Sequence, residues 1–173
     1  MSKPERGPQA STGYHLWHAS LLWTRAVSEA LEPLGLTHTQ FFVLGSTRWL
    51  GLEGAPPMQR EVAEHVGIDR NMTSQVVRAL EDRGLIAREP SPDDTRAWRL
   101  RLTAAGERAF GPAVAAVRKV DARFFGALGA RHEAFAEALK ELGRAESPGT
   151  NGGSHDDERA KGTASTRKEN RHG

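Results

Sequence analysis

The chain has 173 residues, a formal net charge of +2 and no cysteine. That length suits one domain of ordinary size with a single core. The missing cysteines exclude disulfides, thiolate metal sites and thiol-based redox sensing. A balance so close to neutral neither demands nor excludes nucleic acid, so the placement of the basic groups decides.

Residues 1–12 are polar, carry Pro4 and Pro8, and read as a disordered N-terminus without the apolar run of a signal peptide. No stretch approaches the roughly 18 apolar residues of a membrane span. A soluble, cytoplasmic protein without membrane association is expected. Residues 145–173 hold few apolar side chains, and their five acids and five bases cancel. Burial there cannot offset the ordering entropy, so this segment reads as a disordered, solvated tail. One folded domain is expected over 13–144.

The first helix is expected over 14–31. Leu16, Trp17, Ala19, Leu22, Trp23, Ala26, Val27 and Ala30 cover more than one of its faces. Such a helix should be buried on two sides, against its own domain and against a second subunit. Pro33 and Gly35 end it. Thr37 caps the next helix, with Gln40 at capping-box spacing and Phe41, Phe42, Leu44 and Leu50 as its apolar face. Residues 51–57 form a loop by composition.

Two short helices then follow across a tight break. The first spans about 59–65 with Val62, Ala63 and Val66 inward, and Gly67 breaks it. Asp69 caps the second, over 70–82. Met72, Val76 and Leu80 recur every fourth residue, which predicts them as the buried stripe. Asn71, Ser74, Gln75 and Arg78 should then face outward. Amides, hydroxyls and arginines are the side chains that read base edges or hold phosphates. An ordinary wet helix face usually carries more Glu and Lys. Gly84 closes the helix at a position where a left-handed residue is usual.

Leu85, Ile86 and Ala87 begin a strand, and Pro90 to Thr95 reads as a turn. Trp98, Leu100 and Leu102 alternate with Arg99 and Arg101, so one face is apolar and the other basic. A short helix, a break, a second helix and a basic hairpin in this order describe a winged helix-turn-helix. The wing would present Arg96, Arg99 or Arg101 to phosphates or to a minor groove. Thr103 caps a long helix bearing Ala109, Phe110, Ala113, Val114, Val117 and Val120, with Pro112 inside it. A last amphipathic helix is expected over about 131–142, stopped by Gly143. The fold class is mainly α with a small β-hairpin wing and a helical dimerisation region. The DNA-binding lobe is placed at about 37–103 and the dimerisation helices at 14–31 and 104–143.

Residues 68–86 (IDRNMTSQVVRALEDRGLI), 90–97 (PSPDDTRA) and 102–106 (LTAAG) resemble the recognition helix, the wing and the following helix start of MarR-family regulators. The resemblance extends through helix order over about 14–143. It implies a homodimer joined by its first and last helices, with a winged helix-turn-helix in each lobe that binds double-stranded DNA at an inverted repeat. It implies a repressor, released by a small aromatic or anionic effector. Carried over, Arg70, Asn71, Thr73, Ser74, Gln75 and Arg78 serve the major groove. Asp94 braces Arg96, which reaches the minor groove, with Arg99 beside it. Met58 stands where many members have a Ser or Thr cap. The missing cysteines exclude the peroxide-sensing branch.

Trp17, His18, Phe41, Phe42, Arg48 and Trp49 are candidates for an effector pocket with an aromatic floor and one cation, although such residues are commonly plain core. His15, His18 and His38 have nitrogen ligands but no convincing carboxylate or fourth ligand, so no metal is expected. No cofactor is expected. No nucleophile elbow, phosphate loop, dinucleotide turn or paired carboxylates suggest an enzyme. The second reading is a winged-helix module that binds protein. Its mark would be an acidic or apolar outer face on the second helix.

Overall fold

The structure is a computed structural model, and it describes residues 11–52, 54–92, 94 and 97–145. The two ends read as disordered fall almost wholly outside the described residues; Thr12 and Ala145, assigned to them, lie in helices. The elements in order are α1 (Thr12–Leu31), α2 (His38–Gly51), α3 (Gln59–Val66), α4 (Arg70–Asp82), β1 (Ile86–Pro90), β2 (Trp98–Leu102), α5 (Ala104–Gly126) and α6 (His132–Ala145). A single 3-10 turn follows α1 at Glu32–Leu34, and another, Gly129–Arg131, precedes α6. No helix of the described residues is long and apolar enough to cross a membrane.

Helix boundaries follow local chemistry. Gly35 takes a left-handed φ of 66° behind Pro33, and the Leu36 N–H returns to the Leu31 carbonyl. Thr37 Oγ1 accepts from Gln40 N at 3.2 Å while Gln40 Oε1 accepts from Thr37 N at 3.1 Å, the reciprocal capping box. Thr103 Oγ1 accepts from Gly106 N at 3.0 Å and donates to the Gly84 carbonyl at 2.6 Å. One hydroxyl thus joins the end of the α4 region to the start of α5.

Up to His132 the chain shares one core. Val27 and Leu31 of α1, Val43 and Leu44 of α2, Val62 of α3, Val77 and Leu80 of α4, Ile86 and Leu100 of the hairpin, and Ala113, Val117 and Val120 of α5 are all buried. Each large aliphatic among them contributes about 1.5–3 kcal/mol relative to exposure. Only the C-terminal half of α1 takes part. Leu16, Trp17, Leu21 and Leu22, from its first turn to its middle, remain about half exposed in the single chain.

α6 falls mostly in a second compact unit beginning at Glu133. Considered alone it is amphipathic, with Phe135 and Leu142 exposed and Lys140 paired to Glu137 at 2.6 Å. The expected stop at Gly143 is corrected: the helix runs on to Ala145. Glycine in a helix costs only about 1 kcal/mol relative to alanine, which is too little to end one by itself.

Candidate nucleic-acid interface

The turn between α3 and α4 is built by two short-range devices. Gly67 takes φ 74° and its N–H reaches back to the carbonyls of Ala63 and Glu64. Asp69 Oδ1 then accepts from both Asn71 N and Met72 N at 2.9 Å, which fixes the first turn of α4. α3 begins without a hydroxyl cap; instead Glu61 Oε2 accepts from Met58 N at 2.7 Å.

The buried stripe of α4 differs by one position from the expected one. Thr73, Val77 and Leu80 are buried, Val76 is half-buried and Met72 is exposed. Thr73 therefore does not face outward with its neighbours. Its hydroxyl donates to the Asp69 carbonyl at 2.9 Å, so a threonine can occupy the core with its polar atom satisfied. Arg70, Asn71, Gln75 and Arg78 are exposed, and Ser74 is half-buried.

The hairpin is antiparallel, pairing Ile86 with Leu102, Arg88 with Leu100 and Pro90 with Trp98. Arg88 holds it to α4: its guanidinium meets Glu81 at 2.5 Å and lies 4.9 Å over the Trp98 ring. Of the expected apolar face, Leu100 is buried, Leu102 half-buried and Trp98 40% exposed. On the other face Arg101 is exposed and paired to Glu89 at 2.5 Å. Arg99, one of the three arginines expected to be presented by the wing, is half-buried and donates to the Pro56 carbonyl at 3.1 Å. The cause is a long-range contact. The chain entering α3 runs along β2, bridging Met58 to Arg99, and the Leu100 N–H donates to the Pro57 carbonyl at 2.8 Å.

At the tip, the Ala97 N–H donates to the Asp94 carbonyl and the Ser91 N–H to the Ala97 carbonyl, both at 2.9 Å. Asp94 is exposed. Arg96 lies outside the described residues, and with it the expected brace from Asp94. Between α3, α4 and the hairpin a notch of about 200 Å³ is lined by Gln59, Arg60, Arg70 and Trp98 among others. Sequence reasoning missed Arg60. An arginine in the first turn of the helix that precedes the recognition helix was the available signal.

The effector candidates stand in different surroundings. Phe41 is core, stacked on Phe110 with ring centroids 5.6 Å apart, because α2 turns it toward α5. Arg48 is paired to Glu107 at 2.9 Å. Trp17, His18 and Trp49 are exposed. A separate groove of about 700 Å³ lies between α1 and α5, with Ala26, Ala30, Leu34 and Ala116 as apolar lining and Lys119, Arg123 and Glu29 as charged lining. His38 packs edge-on against Trp23 at 5.5 Å and, tilted, against Phe42 at 4.7 Å. Burial holds its pKa below the ordinary 6.5.

Comparison with known proteins agrees with this architecture. The model of the MarR family matches residues 36–98. The uncharacterized HTH-type transcriptional regulator YdcH of Bacillus subtilis is 38% identical over 136 residues, 79% of this chain and 92% of YdcH. The HTH-type transcriptional repressor Rv2887 of Mycobacterium tuberculosis is 35% identical, over 78% of this chain and 94% of its own. The crystal structure of Rv2887 in complex with DNA superposes with a TM-score of 0.62 at 32% identity, covering 78% of this chain and 98% of that one. CouR from Rhodococcus jostii RHA1, bound to p-coumaroyl-CoA, superposes with a TM-score of 0.71 at 28% identity, covering 83% and 97%.

Proposed function

This chain belongs to the MarR family of transcriptional regulators, and from that premise we propose that it is a cytoplasmic, homodimeric repressor, not an enzyme, that reads an inverted-repeat operator and is released by a small effector. The observation that carries the reading is the outer face of α4. Asn71, Gln75 and Arg78 are exposed together on a helix whose start is fixed by Asp69. Two amides and a guanidinium can pair with adenine and guanine edges or hold phosphates. That face is neither acidic nor apolar throughout, which speaks against a protein-binding module. Arg70 and Arg60 at the notch, Arg96 at the wing and Asp94 as its brace complete the interface. Arg99 then serves by anchoring the wing to Pro56.

The exposed apolar half of α1 and the amphipathic α6 favour a dimer joined through the chain's two end helices. Rv2887 carries the name of a repressor and is solved with DNA, which supports the same activity here. CouR is solved with an aromatic acyl-CoA. The groove between α1 and α5, mostly apolar with the cations Lys119 and Arg123 against the single acid Glu29, fits an anionic ligand with an apolar portion.

The test is a gel-shift with the DNA upstream of the protein's own gene, followed by selection from random duplexes. An inverted repeat with half-sites about 34–36 Å apart is expected. Light scattering should give twice the chain mass. A stable monomer that binds a palindrome, or a selected pool without dyad symmetry, would overturn the reading.

A further inference from the structure

One edge of α4 is apolar along its whole length. Met72, Val76 and Ala79 stand at i, i+4 and i+7; the last two are half-buried, whereas Met72 is 46% exposed. Its position is enforced. The Met72 N–H is held by Asp69 Oδ1, and the neighbouring Thr73 is locked in the core through the Asp69 carbonyl. Rotating the first turn by one residue to bury Met72 would expel Thr73. The flanking exposed residues are polar: Asn71 at i−1 and Gln75 at i+3. Arg70 occupies the other edge and shares the notch with Trp98 of the wing, so Met72 lies on the edge away from the hairpin.

An apolar side chain at the exposed leading turn of such a helix has one apolar counterpart in a major groove, the 5-methyl group of thymine. Methionine is flexible and polarizable, and fills irregular apolar gaps well. We propose that Met72 is a specificity-determining residue that reads one thymine in each half-site by packing its thioether against the 5-methyl group. This rests on the DNA-reading function proposed above.

The selected operator is resynthesised with each thymine in turn replaced by deoxyuridine in both half-sites, which removes only the methyl group. Affinities are measured for the full-length parent, Met72→Ala, Met72→Gln and Met72→Leu. At one thymine per half-site the parent should lose about fourfold in affinity for each half-site, the scale of one buried methyl(ene) group. Met72→Ala and Met72→Gln should bind thymine and uracil duplexes equally there, and Met72→Leu should keep the preference. An operator with dyad symmetry at which no thymine is sensitive, or a sensitivity unchanged in Met72→Ala and Met72→Gln, overturns the role of Met72 alone. A parent that selects no sequence overturns the DNA-reading function with it.

Discussion

The indole Nε1 of Trp23 donates to Asp121 Oδ1 at 2.8 Å, joining α1 to α5 across 98 positions of sequence. A hydrogen bond to a partly buried carboxylate contributes more than a neutral one, roughly 1.5–3 kcal/mol. Trp23→Phe should therefore lower unfolding stability by about 2 kcal/mol, read from urea titration. Asp121→Asn should cost less, because the amide oxygen still accepts. Additive losses in the double variant would show that the two groups do not interact.

Gly106 and Gly111, both in α5, should respond very differently to alanine. A Cβ at Gly106 would stand 2.1 Å from the Leu85 carbonyl oxygen, a backbone atom held where the hairpin begins. Apart from its chain neighbours and the backbone of its own helix, nothing lies within 4 Å of a Cβ at Gly111. Gly106→Ala should cost roughly 3 kcal/mol or prevent folding. Gly111→Ala should be close to neutral, because the propensity gain of about 0.8 kcal/mol is opposed by the new Cβ crowding the Cδ of Pro112, the next residue in the helix. Thermal unfolding of both against the parent tests the pair; equal midpoints would contradict it.

Gln75 and Arg78 share the exposed face of α4, yet an amide and a guanidinium need not play the same role. Gln75 suits paired hydrogen bonds to an adenine edge. Gln75→Ala should relax preference at one position of each half-site in a selection experiment and leave the rest of the logo intact. If Arg78 holds a phosphate, Arg78→Ala weakens all sequences about equally; if it reads guanine, a second position relaxes. Identical logos for the parent and Gln75→Ala would remove Gln75 from the reading set.

Arg96 follows the Pro-rich segment 90–92 in sequence, where little core packing is expected to depend on it. Arg96→Ala should weaken DNA binding without lowering the unfolding midpoint. The slope of log affinity against log salt should fall by about one when a single phosphate interaction is removed. Asp94→Ala should show a smaller loss of the same kind. Unchanged binding of Arg96→Ala at every salt concentration would refute the wing assignment.

His38 should make stability depend on pH below neutrality. Its Nε2 is buried without a hydrogen-bond partner, and burial lowers its pKa from 6.5. The unfolded chain then binds the proton at higher pH than the folded one does. The contribution is complete above about pH 6.5 and is lost as pH falls toward the folded pKa. Between pH 7.5 and pH 5.5 the parent should lose more stability than His38→Phe, measured by urea titration at each pH. Equal losses would show that His38 is not the group responsible.

Where a helix starts or stops was written in residues a few positions apart. Thr37 with Gln40, Gly67 with Asp69, and Thr103 each satisfy backbone groups of their own turn, so composition and spacing sufficed to place them. The alternation of Trp98, Leu100 and Leu102 likewise announced the hairpin. Which edge of α4 enters the core was a different kind of question. A residue turns a helix by about 100°, so the Met72 and Thr73 stripes are adjacent and both lead to Leu80. Choosing between them required the Asp69 carbonyl, which satisfies the Thr73 hydroxyl and makes its burial permissible. Arg99 carried the same ambiguity: in sequence it is a basic residue on an alternating strand, and only the passage of Pro56 and Met58 alongside β2 draws it inward. Phe41 and Arg48, plausible around a ligand, are taken by Phe110 and Glu107, which are 69 and 59 residues downstream. Local backbone demands can be read along the chain, whereas the partner of a side chain is decided by whichever distant element folds against it.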